Sequence, residues 1–233
     1  MKNKYITIAV VLVLVGVGAF IRFTKKGNSL IHPTTQGQTQ DASAVVATIR
    51  GGQISISRAQ LDVQIQQSAQ NPQVKVPDAS QGEARSAFEK AVLDQMVKSA
   101  LFLDEAQRQG FTVDDTAVEA ELAKITASYQ DAAAFDAALA SAQLTKDMLR
   151  ENIKRQLVTK QYYSKIVAEH PVKVTAEEIK GFYDTQVVPQ DPKAVFEKIK
   201  DQIKTQLEQQ KVQEVVKGIV DELYKSADVK VLI

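Results

Sequence analysis

Apolar positions follow three different patterns along the chain. From Tyr5 to Ile21 there are 17 residues without a charge. From Thr24 to Ser43 Gly, Gln, Thr and Ser dominate and no period is visible. From Ala44 onward the apolar residues take up regular spacings, first of two and then of three to four. A spacing of two marks a half-buried strand, and a spacing of three to four marks an amphipathic helix.

Val45, Ala47 and Ile49 alternate, Gly51-Gly52 makes a turn, and Ile54 and Ile56 alternate again. This predicts a short hairpin. Ser57 is a good N-cap for a helix over 58–70. Pro72 and Pro77 mark the following loop. A second helix is predicted over 81–109, stopped by Gly110. Its polar stripe of Lys90, Asp94 and Lys98 is narrow, while Phe88, Val92, Leu93, Met96, Val97, Leu101 and Leu103 occupy most of its circumference. Such a helix is covered on several sides, so it is expected at the centre of the body.

Asp114 or Asp115, Asp131 and Thr145 read as caps of three further helices, the last ended by Pro171. Thr175 and Glu178 form a capping box for a short helix through Tyr183. Val187–Asp191, with Pro189, reads as a break. Asp191-Pro192 then reads as N-cap and first residue of a long helix to Ser226. Val229, Val231 and Ile233 alternate as a final strand. A lone strand is unstable, and the only other strand material lies at 45–56, so the last strand is expected to pair with the hairpin. The fold class expected is mostly α: a multi-helix body with a small β element made from the N-terminal hairpin and the C-terminal strand, plus an N-terminal transmembrane helix.

The uncharged run supplies that helix. It spans roughly 25 Å at about 1.5 Å per residue. With Arg22 snorkelling and Phe23 added, it reaches across a hydrocarbon core of about 30 Å. The domains expected are a transmembrane signal anchor at 1–23, a flexible tether at 24–43 and a helical body at 44–233. Cleavage after Gly18 or Ala19 also satisfies the small-residue rule. An uncleaved anchor is preferred, because cleavage leaves an apolar and basic start. Lys2 and Lys4 precede the run, and Arg22, Lys25 and Lys26 follow it. The positive-inside rule is therefore close to a tie and does not set the orientation.

Charge and composition narrow the function. Residues 1–43 hold five basic residues against one acidic, and the remainder holds 24 against 27. A weakly acidic body with mixed signs has no electrostatic footprint for nucleic acid. Cysteine is absent, which excludes disulfides, a thiol nucleophile and thiolate-bound metal. Of the two histidines, His32 lies in the tether and His170 at a helix end, and neither has metal-ligand spacing. No Gly-rich loop is placed to cradle phosphate, and no GxSxG elbow occurs. The paired acids Asp114-Asp115 and Glu177-Glu178 are explained as caps. No catalytic, cofactor-binding or metal residue is nominated, and no enzyme, cofactor or small-molecule substrate is expected.

Three stretches together resemble a known family: VATIRGGQISISRAQLD at 46–62, LFLDEAQRQGFTVDDTAVEAEL at 101–122 and AEEIKGFYDT at 176–185. Phe135 to Leu139, Gln143 to Thr145 and Leu149 to Leu157 continue the pattern in order. The set resembles the N-terminal domains of SurA-, PrsA- and PpiD-type extracytoplasmic chaperones over about residues 45–233. The resemblance implies a chaperone outside the cytoplasm that binds unfolded or exported proteins, here single-pass in the cell membrane with the body on the extracytoplasmic side. Many members carry a parvulin prolyl isomerase domain between the helix ending near Tyr183 and the last helix. Asp184 to Asp191 is too short for one, which implies the chaperone module alone. Leu61, Ile65, Phe88 and Phe102 are the candidate client-binding residues, with burial in the core as the competing reading for each. The alternative is a membrane-tethered helical adaptor or scaffold that grips one specific partner protein.

Overall fold

The structure, a computed structural model, describes residues 42–233 apart from Gln70, Pro72 and Gln143. The expected span at 1–23 and nearly all of the tether at 24–43 lie outside these residues. Among the described residues no helix is long and apolar enough to cross a membrane.

The chain opens with a hairpin, β1 (Val45–Ile49) and β2 (Ile54–Ser57). Arg50, Gly51 and Gly52 all have positive φ, which lets the chain reverse, and two of the three are glycines. Ser57 caps α1 (Arg58–Ala69) reciprocally with Gln60: Gln60 N–H donates to Ser57 Oγ at 3.3 Å, and Ser57 N–H donates to Gln60 Oε1 at 2.8 Å.

Helix α2 (Gly82–Arg108) is central, as its wide apolar surface requires, and it packs against β1, α1, α5 (Lys146–Glu169) and α7 (Phe196–Ser226). It ends at Gly110, whose φ of +86° permits a Schellman closure. There Phe111 N–H donates to Ala106 O and Gly110 N–H to Gln107 O, both at 3.0 Å. The caps read from the sequence hold. Asp114, Asp131 and Thr145 accept from the third residue of α3 (Asp115–Ala127), α4 (Ala132–Ser141) and α5 respectively. Thr175 and Glu178 form the capping box of α6 (Ala176–Phe182), which runs on into one π-helical turn, Tyr183–Val187.

The last helix departs from expectation at its start. Asp191 is not its N-cap, and α7 begins five residues later. The Asp191 carboxylate accepts instead from Lys193 N–H at 3.0 Å, and Asp191 O accepts from Ala194 N–H at 3.0 Å. These bonds fold 191–194 into turns that compete with helix, a standard alternative use of aspartate. Tyr183 Oη then pins the loop by donating to Ala194 O at 2.6 Å.

The final strand is also shorter than the alternation suggests. Only Lys230–Val231 (β3) pair, antiparallel to β1, with Ala47 opposite Val231 and Thr48 opposite Lys230. The sheet order is β2-β1-β3, so the predicted meeting of the first and last strands is present.

Two buried clusters result. One joins the sheet, α1, the middle of α2 and Ala227 just beyond α7. The other joins the end of α2 to α3, α4, α5 and α7. Leu101 lies fully buried on α2 where the first cluster ends and the second begins one residue later, at Phe102. We expect Leu101→Ala to cost about 3–5 kcal/mol, the range for a buried leucine whose cavity cannot collapse. A lower urea midpoint at unchanged slope checks this. A loss under about 1 kcal/mol would mean that the site relaxes freely.

Candidate functional site

The four residues nominated from sequence do not converge on one surface. Leu61 and Ile65, at 0% and 4% exposure, lie inside the first cluster, and Phe102, at 3%, lies inside the second. Phe102 packs against Tyr162 with the rings tilted and their centroids 4.8 Å apart. Phe88 is half-buried at the margin of the first cluster, so it alone of the four has surface to offer.

Exposed apolar side chains gather elsewhere, at the end of the sheet. Val45, Val231, Leu232 and Ile233 are between 38% and 57% exposed. Val45, Leu232 and Ile233 rim an open cleft of about 530 Å³ between the sheet and the first turns of α2. The signal for them in the sequence was the alternation at the strand ends. It showed which residues share a face but not where the sheet stops.

The other wall of the cleft is ionic. Arg58, the first residue of α1, donates to both oxygens of Glu89 on α2, at 2.8 and 3.1 Å, and Arg85 donates to the same carboxylate at 2.8 Å. Arg58 also reaches Asp62 at 2.9 Å. Arg85 in addition donates to Pro77 O at 3.2 Å, which ties in the loop before α2. Burial acts to push the Glu89 carboxyl up, but the hydrogen bonds from Arg58 and Arg85 outweigh it and hold it below the usual carboxylate range. The hydrogen bond to Glu89 likewise raises Arg58, so both partners stay charged. The result is a rigid polar wall facing an aliphatic rim. Such a surface can bind, and its one displaced carboxyl, Glu89, is committed to two guanidinium groups. Among the described residues no group of His, Asp and Glu is arranged to hold a metal ion. His170 caps the end of α5.

With this geometry in hand, likeness to known proteins becomes informative. The family model of the SurA-like N-terminal domain matches residues 1–163. The chain belongs to the SurA-like N-terminal domain family. A chaperone-type function follows at the level of the family, with polypeptides as the class of client. Several solved chains match, and one of them shares the fold over most of its length. It was reported for the virulence factor PEB4 and the periplasmic protein Cj1289, two structurally related SurA-like chaperones in the human pathogen Campylobacter jejuni. It matches with a TM-score of 0.52 at 12% identity, over 81% of this chain and 99% of that chain. The likeness extends beyond residue 163, which brings at least part of the α6–α7 region within the shared fold. No curated protein matches in sequence.

The depressed Glu89 carboxyl makes a pH prediction. As pH falls, the unfolded chain takes up this proton before the folded protein does. The stabilisation is therefore complete above the ordinary glutamate value of about 4.3 and is lost as pH drops through the lower folded value. We expect Glu89→Gln to lower stability at neutral pH by about 1–3 kcal/mol, the range for hydrogen bonds to a charged group. The gap between variant and wild type should narrow in urea titrations as pH falls below the ordinary glutamate value of about 4.3. A gap that stays constant with pH would show that Glu89 does not carry it.

Proposed function

We propose that this protein is a membrane-anchored extracytoplasmic holdase that binds unfolded or exported polypeptides and has no prolyl isomerase activity. Residues 1–23 serve as signal anchor, 24–43 as tether and 44–233 as the chaperone body. The observation that carries the reading is the connection between α6 and α7. After the π-helical turn ends at Val187, only residues 188–195 precede the first residue of α7. The family resemblance locates the isomerase domain at this junction. Here the chain makes two tight turns and is held by the hydrogen bond from Tyr183 to Ala194.

The same junction supports a binding role. The arm formed by α6 and the π-helical turn contains no fully buried residue. Its aromatic Tyr183 packs edge-on against Phe196 of α7, with centroids 5.1 Å apart. Lys211 of α7 reaches Glu178 at 2.6 Å. An arm so thinly covered offers half-exposed apolar surface to a client, as does the sheet-end cleft. Phe88 belongs to the client surface on this reading, while Leu61, Ile65 and Phe102 support it from within.

Both buried clusters are drawn from residues 46–227, so the body carries its own core and can be studied without the anchor. Purified 42–233 is expected to suppress light scattering by two chemically unrelated proteins as they unfold. It should leave the cis–trans exchange of a proline peptide at its uncatalysed rate, tens to hundreds of seconds at 25 °C. Protection of neither client would favour a tethered adaptor with one partner. Catalysed exchange would overturn the non-enzymatic reading.

A further inference from the structure

The sheet ends on an edge that is unfinished in both backbone and side chains. Leu232 N–H donates to Val46 O at 2.9 Å. In an antiparallel ladder alternate residues face opposite edges. The N–H and C=O groups of Val231 therefore point away from β1. Among the described residues no backbone partner meets them. The apolar face of the sheet also runs past its cover. Ala47, Ile49, Ile54 and Ile56 are at most 2% exposed, whereas Val231, directly opposite Ala47, is 43% exposed. Ile233, two residues beyond Val231 and just past the strand, is 38% exposed and lines the cleft.

We infer that β3 is the docking edge for clients: an extended client segment with apolar residues at alternate positions adds as a fourth strand, in the order β2-β1-β3-client. This rests on the holdase reading and deepens it. The free N–H and C=O groups call for an extended backbone, which a helical surface or a lipid does not supply. The bare Val231 and Ile233 call for apolar side chains on every second residue. Main-chain bonds of this kind are indifferent to sequence, while the alternate side chains give a preference for β-prone stretches. Lys230, the residue before Val231 in β3, lies on the opposite face, where a charge discourages permanent edge-to-edge association.

The test uses body 42–233 and a soluble peptide of alternating valine and threonine. A second peptide is identical but N-methylated on every other residue along the edge that would meet β3. Val231→Pro removes an N–H that points away from β1, so the β1–β3 bonds are spared. We expect the wild-type body to bind the plain peptide, and both the methylated peptide and the Val231→Pro body to bind about tenfold more weakly or worse, as loss of one or two hydrogen bonds predicts. Circular dichroism and the urea midpoint should be unchanged in the variant. If the variant does not fold, the methylated peptide decides on its own. Equal affinities would overturn edge docking. If both bodies then still suppressed aggregation, the holdase reading would stand without it. No binding of the plain peptide would also overturn the inference, as would a wild-type dimer that Val231→Pro dissolves, since a second copy would then occupy the edge.

Discussion

Apolar residues cover most of the circumference of α2, and no single neighbour can bury so wide a surface. The helix must be wrapped, and the rest of the body is the wrapping. The sheet and α1 take its middle, α5 takes its end, and α7 runs alongside to close the gap. Because α7 is 31 residues long, about 46 Å, it can reach from the α6 arm to the sheet. It contributes Val216 and Val220 to one cluster, and its last turn brings Ala227 to the other. Lys98 of α2 lies between Asp94, at 2.9 Å, and Asp221 of α7, at 3.8 Å.

Closure is fixed at Arg50. This residue sits in the left-handed region at the hairpin turn, which is uncommon for a residue with a side chain. The position lets three things happen together. Its amide donates to Ala227 O at 2.7 Å, its guanidinium meets Asp104 of α2 at 2.5 Å, and the strand behind it pairs with β3. The hairpin, the central helix and the end of the last helix are thus joined at one residue. The long-range contact that closes the chain is short and polar, whereas the stability lies in the apolar clusters on either side of it.

Local rules read this architecture well wherever the controlling residues are neighbours. Helix caps need only a side chain and an amide three residues away, and Asp114, Asp131, Thr145 and Thr175 all act as their sequence context predicts. Gly110 ends α2 for the same local reason. Asp191 shows the limit. Aspartate before proline suits a helix start and a turn equally, and the turn is selected by Tyr183, which lies outside any local window. Among the client-binding candidates, periodicity identified Leu61, Ile65 and Phe102 as apolar but could not say that helices on the far side cover them. Nor could it say that Val231 and Ile233, on the same alternation as the core, lie where the cover ends.

Where the cover ends is set by α2 as well. The helix packs against β1, and at its first turns the residues that line the cleft beside the strand ends are Gly82, Arg85, Ser86 and Glu89 rather than aliphatics. The Arg58–Glu89–Arg85 cluster holds this wall through charge-assisted bonds, so the wall cannot collapse onto the rim to bury Val45 and Ile233. Replacing the wall with leucines would extend the core and finish the sheet, since well-packed apolar residues commonly match or exceed a buried ion pair in stability. The protein keeps the ionic wall and therefore keeps the exposed edge. An open apolar margin costs solubility in a protein that binds nothing. In a chaperone-family body it is the feature a client can use, and the ion cluster preserves it.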